Sequence, residues 1–473
     1  MSDARSQFAR ACALLAVLAA AAPRIGGAQG MVPRTLSPDP APPASPPASP
    51  VQSAVPTVNS GAAPVAPSTA PAMPAPASEL DVTLVTFGLG EEVFERFGHN
   101  AIWLHDNTLG TDIAYDWGNF DFDQPRFIQR FLSGDTKYSM EGREAGAMLS
   151  YYQQIGRPIT LQRLNLTPAQ KSSLREFLRW NALEENKYYR YDYFRDNCST
   201  RLRDALDRVL HGALQAATDT VTTVLTYRRE SVRLTDGDRP AQIGIDIALG
   251  RPADIPLTAW QSFFIPMRLR DGVRDLTLAT GEGGAAVRLV SDEQFLPPLR
   301  GIQPIPELKT SPRLAWRLFA VGLVLAALIV GLRIMAVTRR GAVWGLTLVL
   351  IAWSLLCGAL GTIIILMWTA TLHVFWGWNE NLFQLSPLSL ALVVLVPMSL
   401  LSRRQERAAR TMAFVVAGVA CFGMLLSALP GGQENRAIVA LFLPVHLAFA
   451  WAVAQPTLAA GKPKPPKEKK FTI

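Results

Sequence analysis

Near the middle of the chain lies the hexapeptide Asp196-Asn197-Cys198-Ser199-Thr200-Arg201. Apolar residues follow it at the spacing of one helix face: Leu202, Ala205, Leu206, Val209 and Leu210. This periodicity predicts an amphipathic helix that begins at Cys198 or Ser199. A thiol in the first helical turn lies at the positive end of the helix dipole, where free N–H groups favour the thiolate and can stabilise an oxyanion. The sequence therefore predicts that Cys198 is a nucleophile, and the alternative is a buried, inert cysteine.

The cysteine content agrees with a functional thiol. The sequence has four cysteines. Cys12 lies in a segment typical of a secretory signal, and Cys357 and Cys421 lie in long apolar runs. Cys198 is therefore the one cysteine expected in the exported part, so no disulfide can form within that part. A lone thiol in an oxidising compartment is expected to be either buried and inert, or used.

Composition divides the chain into five parts. Residues 1–28 combine a basic start, a short apolar run and a small-residue end, which predicts a signal peptide, with an uncleaved anchor as the alternative. Residues 29–78 are rich in Pro and Ala and predict a disordered linker. Residues 79–310 show β-branched alternating segments and a helix start at Thr167, which predict a compact α+β domain. Residues 311–457 are strongly apolar, and residues 458–473 form a basic tail.

The apolar part contains five segments that can cross a bilayer, the first and third with the help of flanking residues. They are residues 314–337, 342–369, 385–401, 411–429 and 437–454. Arginines at 339–340 and within 403–410, together with the lysines of the tail, fall on one side of these segments, which the positive-inside rule assigns to the cytoplasm. We therefore expect a multi-pass protein of the bacterial inner membrane, with its α+β domain in the periplasm. This topology also accounts for the net charge of +8, so we expect no nucleic-acid partner.

A cysteine nucleophile needs a base, and histidine commonly serves as one. The sequence has five histidines. His99 is the best candidate because it lies in Phe97-Gly98-His99-Asn100-Ala101, at the start of a predicted strand. If residues 100–105 pair with residues 112–115 as a hairpin, the residues that follow the second strand fall beside His99. Asp116 is the expected orienting group and Asn119 the reserve, and a turn-forming aspartate is the alternative.

These motifs resemble a known family. Phe97-Gly98-His99, the run Tyr115-Asp116-Trp117-Gly118-Asn119-Phe120-Asp121-Phe122, and Tyr193 before the Asn-Cys hexapeptide are similar to the periplasmic domain of Lnb-type lipoprotein N-acyltransferases. The histidine precedes the cysteine along the chain. This order is similar to that in the permuted papain-like domains of lecithin–retinol acyltransferases and NlpC-type enzymes. Asp116 departs from the pattern, because the resemblance leads us to expect Asn there. The likeness extends to His373, Asn379-Glu380-Asn381-Leu382, Ser386-Pro387-Leu388 and Gln433-Glu434-Asn435 in the apolar part.

The resemblance implies a permuted papain-like α+β domain followed by a bundle of about five transmembrane helices. It also implies acyl transfer in two steps. Cys198, activated by His99, takes an acyl chain from a membrane phospholipid as a thioester, and the α-amine of a diacylglyceryl-cysteine lipoprotein then accepts it. The side chains expected to contact the substrates are Asn119, Tyr193, Asn197, Arg201, His373, Asn379, Glu380, Asn381 and Asn435.

Two other functions are consistent with the same residues. One is a membrane-anchored cysteine hydrolase of the NlpC type that acts on peptidoglycan, and the other is a non-catalytic membrane protein with a protected Cys198. Five spans with polar outward loops favour the acyltransferase, because a cell-wall hydrolase needs at most one anchor. We expect no metal and no cofactor, because the sequence has neither zinc-site spacing nor a nucleotide-binding motif.

Overall fold

The computed structural model describes residues 79–120, 125–279, 286–299 and 314–456. The predicted signal peptide, linker and basic tail lie outside these ranges. The described residues form an α/β part built on one large sheet, followed by a helical part. Loops between the helices of the second part contact the first part.

An antiparallel sheet of seven strands is the frame of the α/β part, counted over the described residues. The strands of this part are β1 (Leu80–Phe87), β2 (His99–Asp106), β3 (Thr111–Asn119), β4 (Lys137–Glu144), β5 (Ile159–Leu164), β6 (Tyr188–Arg190), the separate pair β7 (Thr277–Ala279) and β8 (Ala286–Arg288), and β9 (Val290–Leu296). The order across the large sheet is β6-β4-β3-β2-β1-β5-β9. The predicted hairpin is confirmed, because β2 pairs with β3 and Ala101 stands opposite Asp116.

Helices pack on this sheet and connect its strands. They are α1 (Phe127–Ser133), α2 (Ala145–Gln154), α3 (Pro168–Asn181), α4 (Cys198–Val209), α5 (Ala213–Thr218), α6 (Tyr227–Leu234), α7 (Arg239–Ala248), α8 (Ala259–Ser262) and α9 (Pro266–Arg274). Helix α4 begins at Cys198, as the sequence predicts, and its Leu202 and Leu206 are fully buried in the core that also holds Ile102 and Trp117 of the sheet. Burial of this apolar stripe fixes which way the start of α4 faces.

The helical part contains α10 (Leu314–Met335), α11 (Arg340–Ala370), α12 (Ser389–Leu400), α13 (Glu406–Ser427) and α14 (Arg436–Ala454). Among the described residues, α10, α11, α13 and α14 are long and apolar enough to cross a membrane. Four of the five predicted spans are thus helices of sufficient length.

The third predicted span, residues 385–401, differs from the prediction. Helix α12 has 12 residues, or about 18 Å at 1.5 Å per residue, which is short of a hydrocarbon core of about 30 Å. The residues before it are irregular, because Pro387 cannot donate the hydrogen bond that would continue a helix. They are nevertheless buried: Gln384 Nε2 donates to Ala420 O at 2.8 Å, and His446 Nε2 hydrogen-bonds Gln384 O at 2.8 Å. Irregular backbone is tolerated between apolar helices where protein, not lipid, surrounds it.

Candidate active site

Cys198 is the first residue of α4, and Asn197 caps that helix. Asn197 Oδ1 accepts hydrogen bonds from the N–H groups of Ser199 at 2.9 Å and Thr200 at 3.0 Å, and Thr200 Oγ1 accepts from Asn197 N at 2.8 Å. The cap therefore uses two of the three N–H groups of the first turn. The N–H of Cys198 itself takes no part in this cap.

The turn that carries Cys198 is fastened to its surroundings on two sides. Asn197 Nδ2 donates to Tyr193 O at 3.0 Å and to Phe264 O at 2.9 Å. Ser199 Oγ accepts from Asn100 Nδ2 at 3.1 Å. Because Asn100 follows His99 and Ser199 follows Cys198, this bond holds the first residues of β2 and α4 together and brings the predicted base beside the predicted nucleophile.

His99 lies between Cys198 and Asp116. His99 Nε2 is 2.8 Å from Asp116 Oδ2, and Asp116 is buried. Asn119 Nδ2 donates to Asp116 Oδ1 at 3.1 Å, and Arg143 Nη1 is 3.8 Å from Asp116 Oδ2. The structure thus brings together Cys198, His99 and Asp116, and it places the reserve residue Asn119 behind Asp116.

The charged state of the His99 ring is favoured by its neighbours. Burial by itself lowers the pKa of His99, but electrostatic interaction with Tyr152 and Cys198 and hydrogen bonds to Asp116 and Cys198 together raise that pKa well above its ordinary value. An imidazolium beside a thiol favours the thiolate form of the thiol. The geometry is therefore that of a cysteine–histidine pair with a carboxylate beside the imidazole ring.

Gly118 allows the sheet to approach the nucleophile closely. Its φ is +96°, a conformation that residues with a side chain rarely adopt. A Cβ at this position would lie 3.4 Å from Cys198 Cβ. The end of β3 therefore forms one wall of the site. It can lie this close to Cys198 because residue 118 has no side chain.

Two tyrosines of the site were not predicted from the sequence. Tyr152 of α2 lies with its ring centroid 6.1 Å from that of His99. Tyr191 stacks on Tyr138 at 4.2 Å, and burial together with interaction with Cys198 raises the pKa of Tyr191 well above its ordinary value, so its hydroxyl stays protonated. The signal for Tyr191 was its place in the tyrosine-rich run just before the Asn-Cys pair. No local signal marked Tyr152, which joins the site only through the packing of α2 on β3 and β4.

The loop before Cys198 rests on the helical part. Tyr193 stacks on His373 at 6.1 Å between ring centroids, and the guanidinium of Arg195 lies 4.7 Å from the ring centroid of Phe375. His373 Nε2 is also 3.1 Å from Phe131 O of α1. His373 and Phe375 follow the end of α11. The candidate nucleophile therefore lies beside a loop that connects two apolar helices.

Other residues expected to contact substrate lie in the joint between the two parts. Asn379 Nδ2 donates to Ile247 O and Ala248 O at 2.9 and 3.0 Å, and Asn381 Nδ2 donates to Asp246 O and Ile247 O at 3.0 and 3.1 Å. These carbonyls belong to the last turn of α7. Side chains of the helical part thus cap a helix of the α/β part.

The neighbours of these two asparagines complete the joint. Gln433 Nε2 donates to Leu249 O at 3.2 Å, and Gln433 N donates to Glu380 Oε2 at 3.0 Å. Asn435 Nδ2 donates to Asn381 Oδ1 at 3.0 Å. Arg201, another predicted contact residue, donates from Nη2 to Asp196 Oδ2 at 2.8 Å. Each of these side chains is therefore engaged by the protein itself.

The described ranges contain no group of three or more His, Cys, Asp or Glu side chains that could hold a metal ion. The Cys198–His99–Asp116 cluster can act without one, because a thiolate is itself a strong nucleophile.

Comparison with known proteins supports the resemblance found in the sequence. Residues 73–229 match the family described as the Lnb N-terminal periplasmic domain, and the matched range contains His99, Asp116 and Cys198. No curated protein and no solved structure shows a significant match to this chain. Together with the four long apolar helices, the match makes this a membrane protein with a periplasmic domain. The chain is therefore similar to the Lnb family over residues 73–229, about one third of its length.

Proposed function

We propose that this protein is a lipoprotein N-acyltransferase of the bacterial inner membrane, with Cys198 as nucleophile, His99 as base and acid, and Asp116 as orienting group. The observation that carries the proposal is the Cys198–His99–Asp116 cluster beside the loop after α11, with Asp116 buried and Cys198 and His99 partly exposed. A site next to apolar helices suits substrates that are themselves anchored in the bilayer. The order of histidine on β2 and cysteine at the start of α4 is the order of a permuted papain-like enzyme.

The first step forms an acyl-enzyme. The Cys198 thiolate attacks the ester carbonyl carbon of a phospholipid, the ester C–O bond breaks, and His99 gives a proton to the departing lysophospholipid oxygen. Since Asp116 holds Nε2 of His99, Nδ1 is the nitrogen that serves the sulfur. The N–H of Cys198 and the protonated hydroxyl of Tyr191 are the donors proposed for the oxyanion.

The second step releases the acyl chain to an amine. The α-amine of a diacylglyceryl-cysteine lipoprotein attacks the thioester carbonyl, His99 takes the proton that the amine loses, and the Cys198 thiolate leaves. The product is an N-acylated lipoprotein with a third chain. Thioesters suit this exchange because the thiolate is a better leaving group than an alkoxide.

The remaining predicted residues are assigned by their contacts. Tyr193 and His373 form the stacked pair between the site and the helical part, and we assign them to contact with the lipid. Asn119 positions Asp116, and Asn197 positions Cys198. Arg201, Asn379, Glu380, Asn381 and Asn435 act by holding the elements around the site. Residues 1–28 are proposed as the signal peptide, residues 29–78 as a periplasmic linker, and residues 458–473 as a cytoplasmic tail.

The test is mass spectrometry of the N-terminal peptide of a reporter lipoprotein. Cells without N-acyltransferase activity of their own would express the wild-type protein, Cys198→Ser, or the matched control Cys421→Ser, which changes a free cysteine of α13. The expected result is a third acyl chain with the wild type and the control, and a diacylated peptide with Cys198→Ser. A diacylated peptide in all three strains, with each protein present in the membrane, would refute the proposal and favour a cysteine hydrolase of the cell wall.

A further inference from the structure

A cleft of about 410 Å³ opens beside the Cys198 site. The described residues that line it are Asn119, Phe120, Pro125, Arg130, Lys137, Tyr138, Ser139, Glu141, Lys187 and Tyr188. Strands β4 and β6 form its floor, at the edge of the sheet that lies opposite β5 and β9. The proposed mechanism uses no part of this cleft except Asn119.

The cleft adjoins the site. Asn119 lines the cleft and donates to Asp116 Oδ1 at 3.1 Å, and it directly follows Gly118, which borders Cys198. Tyr138 lines the cleft and stacks on Tyr191 at 4.2 Å. The Asn119 side chain and the stacked rings of Tyr138 and Tyr191 therefore lie between the cleft and the Cys198 site. This spacing suits two groups of one substrate, a polar group in the cleft and an ester at the sulfur.

Hydrogen-bond donors dominate the lining. Arg130, Lys137 and Lys187 carry positive charge, and Arg130 also lies 3.6 Å from the carboxylate of Asp135. Asn119, Ser139 and the two tyrosines add neutral donors, of which the Tyr188 hydroxyl donates to Glu184 at 2.7 Å. Glu141 is the one carboxylate of the described lining, and it is paired with Arg143 at 2.9 Å. Lys137 Nζ lies 3.7 Å from the ring centroid of Tyr188, and Lys187 is paired with Glu184 at 2.7 Å. A phosphate group, with several acceptor oxygens and negative charge, is the ligand that such a lining fits.

One wall of the cleft leads to the helical part. Arg130 lies in α1, and the next two residues, Phe131 and Leu132, are about half exposed. Leu372 N, just after α11, donates to Ser133 O at 2.8 Å. Helix α1 therefore lies at the outer end of an apolar helix, with cationic and apolar residues side by side, as is typical of a segment at the headgroup level of a bilayer.

We propose that this cleft binds the phosphate of the phospholipid acyl donor, which enters from the outer leaflet past α1 and presents its ester to Cys198. The assignment of the donor as a phospholipid rests on the proposed function. Arg130 and Lys137 hold the phosphate, and Tyr138 and Tyr188 pack against the glycerol.

Binding to the full-length Cys198→Ala protein tests the proposal without requiring the reaction. Native mass spectrometry in detergent would compare dipalmitoyl phosphatidylglycerol with dipalmitoylglycerol, which has the same chains and no phosphate. Removing two charged hydrogen bonds by Arg130→Gln with Lys137→Gln should weaken phosphatidylglycerol binding about tenfold and leave dipalmitoylglycerol binding unchanged. The matched control is Arg163→Gln with Arg288→Gln, which removes the same charge from exposed arginines away from the cleft.

Each outcome decides the proposal. Equal phosphatidylglycerol binding by the cleft pair and the control pair would overturn it, and so would displacement of the lipid by millimolar inorganic phosphate, which would indicate a site for free anions. Arg130→Gln alone, at a partly exposed helix position, provides a milder variant if the pair does not fold. Acylation of Cys198 in the wild type is measured separately. If the cleft pair binds phosphatidylglycerol weakly and the wild type is not acylated, the phosphate site is supported and the proposed transferase function is rejected.

Discussion

Two helix ends near the candidate site obtain their hydrogen-bond partners in opposite ways. The start of α4 is capped by Asn197, the residue just before it, and by Thr200 of its own first turn. The end of α7 is capped by Asn379, Asn381 and Gln433, which are more than 130 positions away in the chain. The first cap positions Cys198, the candidate nucleophile, and the second fastens the α/β part to the helical part.

The difference teaches how far sequence patterns reach. A cap from a neighbouring residue is a local motif, so its effect on Cys198 follows from a few adjacent letters. A cap from another part of the molecule has no local motif, and the same asparagines look like solvent- or substrate-facing polar residues in the sequence. The variants below change one kind of contact at a time, and they run from the largest expected effect to the smallest.

Asn197→Ala should remove the local cap and both anchors of the nucleophile turn. Loss of a cap costs about 1–2 kcal/mol, and displacement of Cys198 should slow acylation of the enzyme about 100-fold, since about 2.7 kcal/mol corresponds to that factor. Intact-protein mass spectrometry would measure the acylation rate, and thermal unfolding would measure stability. The matched control is Thr167→Ala, which removes the cap of α3 away from the site. Equal activity of the two variants would contradict a positioning role for Asn197.

Gly361→Ala should disrupt the irregular segment before α12. A methyl group at residue 361 would overlap the carbonyl oxygen of Leu385, and such overpacking of backbone typically costs about 1–3 kcal/mol. We expect a lower thermal unfolding temperature for the full-length protein in detergent. Gly341→Ala, in the same helix and with open space around it, should leave that temperature unchanged or slightly raised. Full tolerance of alanine at 361 would show that the segment does not need this close approach.

Asn381→Ala should weaken the remote cap of α7. It removes donors to Asp246 O and Ile247 O and the acceptor for Asn435, and unpaired buried groups cost about 1–3 kcal/mol. Hydrogen exchange should rise in α7 while the backbone of α4 keeps its protection. Asn107→Ala, at an exposed side chain that donates to Glu79 O, is the control. Equal loss of protection in α4 and α7 would mean that the two caps are not independent.

Asp116→Asn should change the pH dependence of Cys198 reactivity more than the stability of the protein. The pKa of His99 is raised in the folded protein, so the imidazolium and its stabilising contacts are fully present below the ordinary histidine pKa and are lost as pH rises through the folded value. The rate of Cys198 alkylation by iodoacetamide would be measured as a function of pH. Without the carboxylate, the alkaline limb of this pH–rate profile should move to lower pH by about one unit. Glu141→Gln, at an exposed residue near the site, should leave the limb in place. An unmoved limb in Asp116→Asn would assign the raised pKa to other neighbours.

Much of the site followed from short-range patterns. The helix start at Cys198, the strand that begins at His99, and the β2–β3 hairpin that brings Asp116 opposite Ala101 all depend on residues a few positions apart. Tyr152 and the joint at Asn381 could not be predicted in the same way, because their roles depend on which surfaces pack together. The helix of the third predicted span is shorter than predicted for a related reason. Its hydropathy matched a transmembrane helix, but Pro387 and contacts from α13 and α14 keep the residues before Ser389 irregular.

The sequence alone determined on which element each candidate catalytic residue lies, because helix starts, capping and strand alternation are encoded by neighbours along the chain. It also determined the apolar helices, since their composition permits few other environments. Tertiary structure alone decided what the polar loops do. A side-chain amide caps a carbonyl wherever the two meet, and whether they meet is set by the burial of distant apolar faces, which no local pattern records.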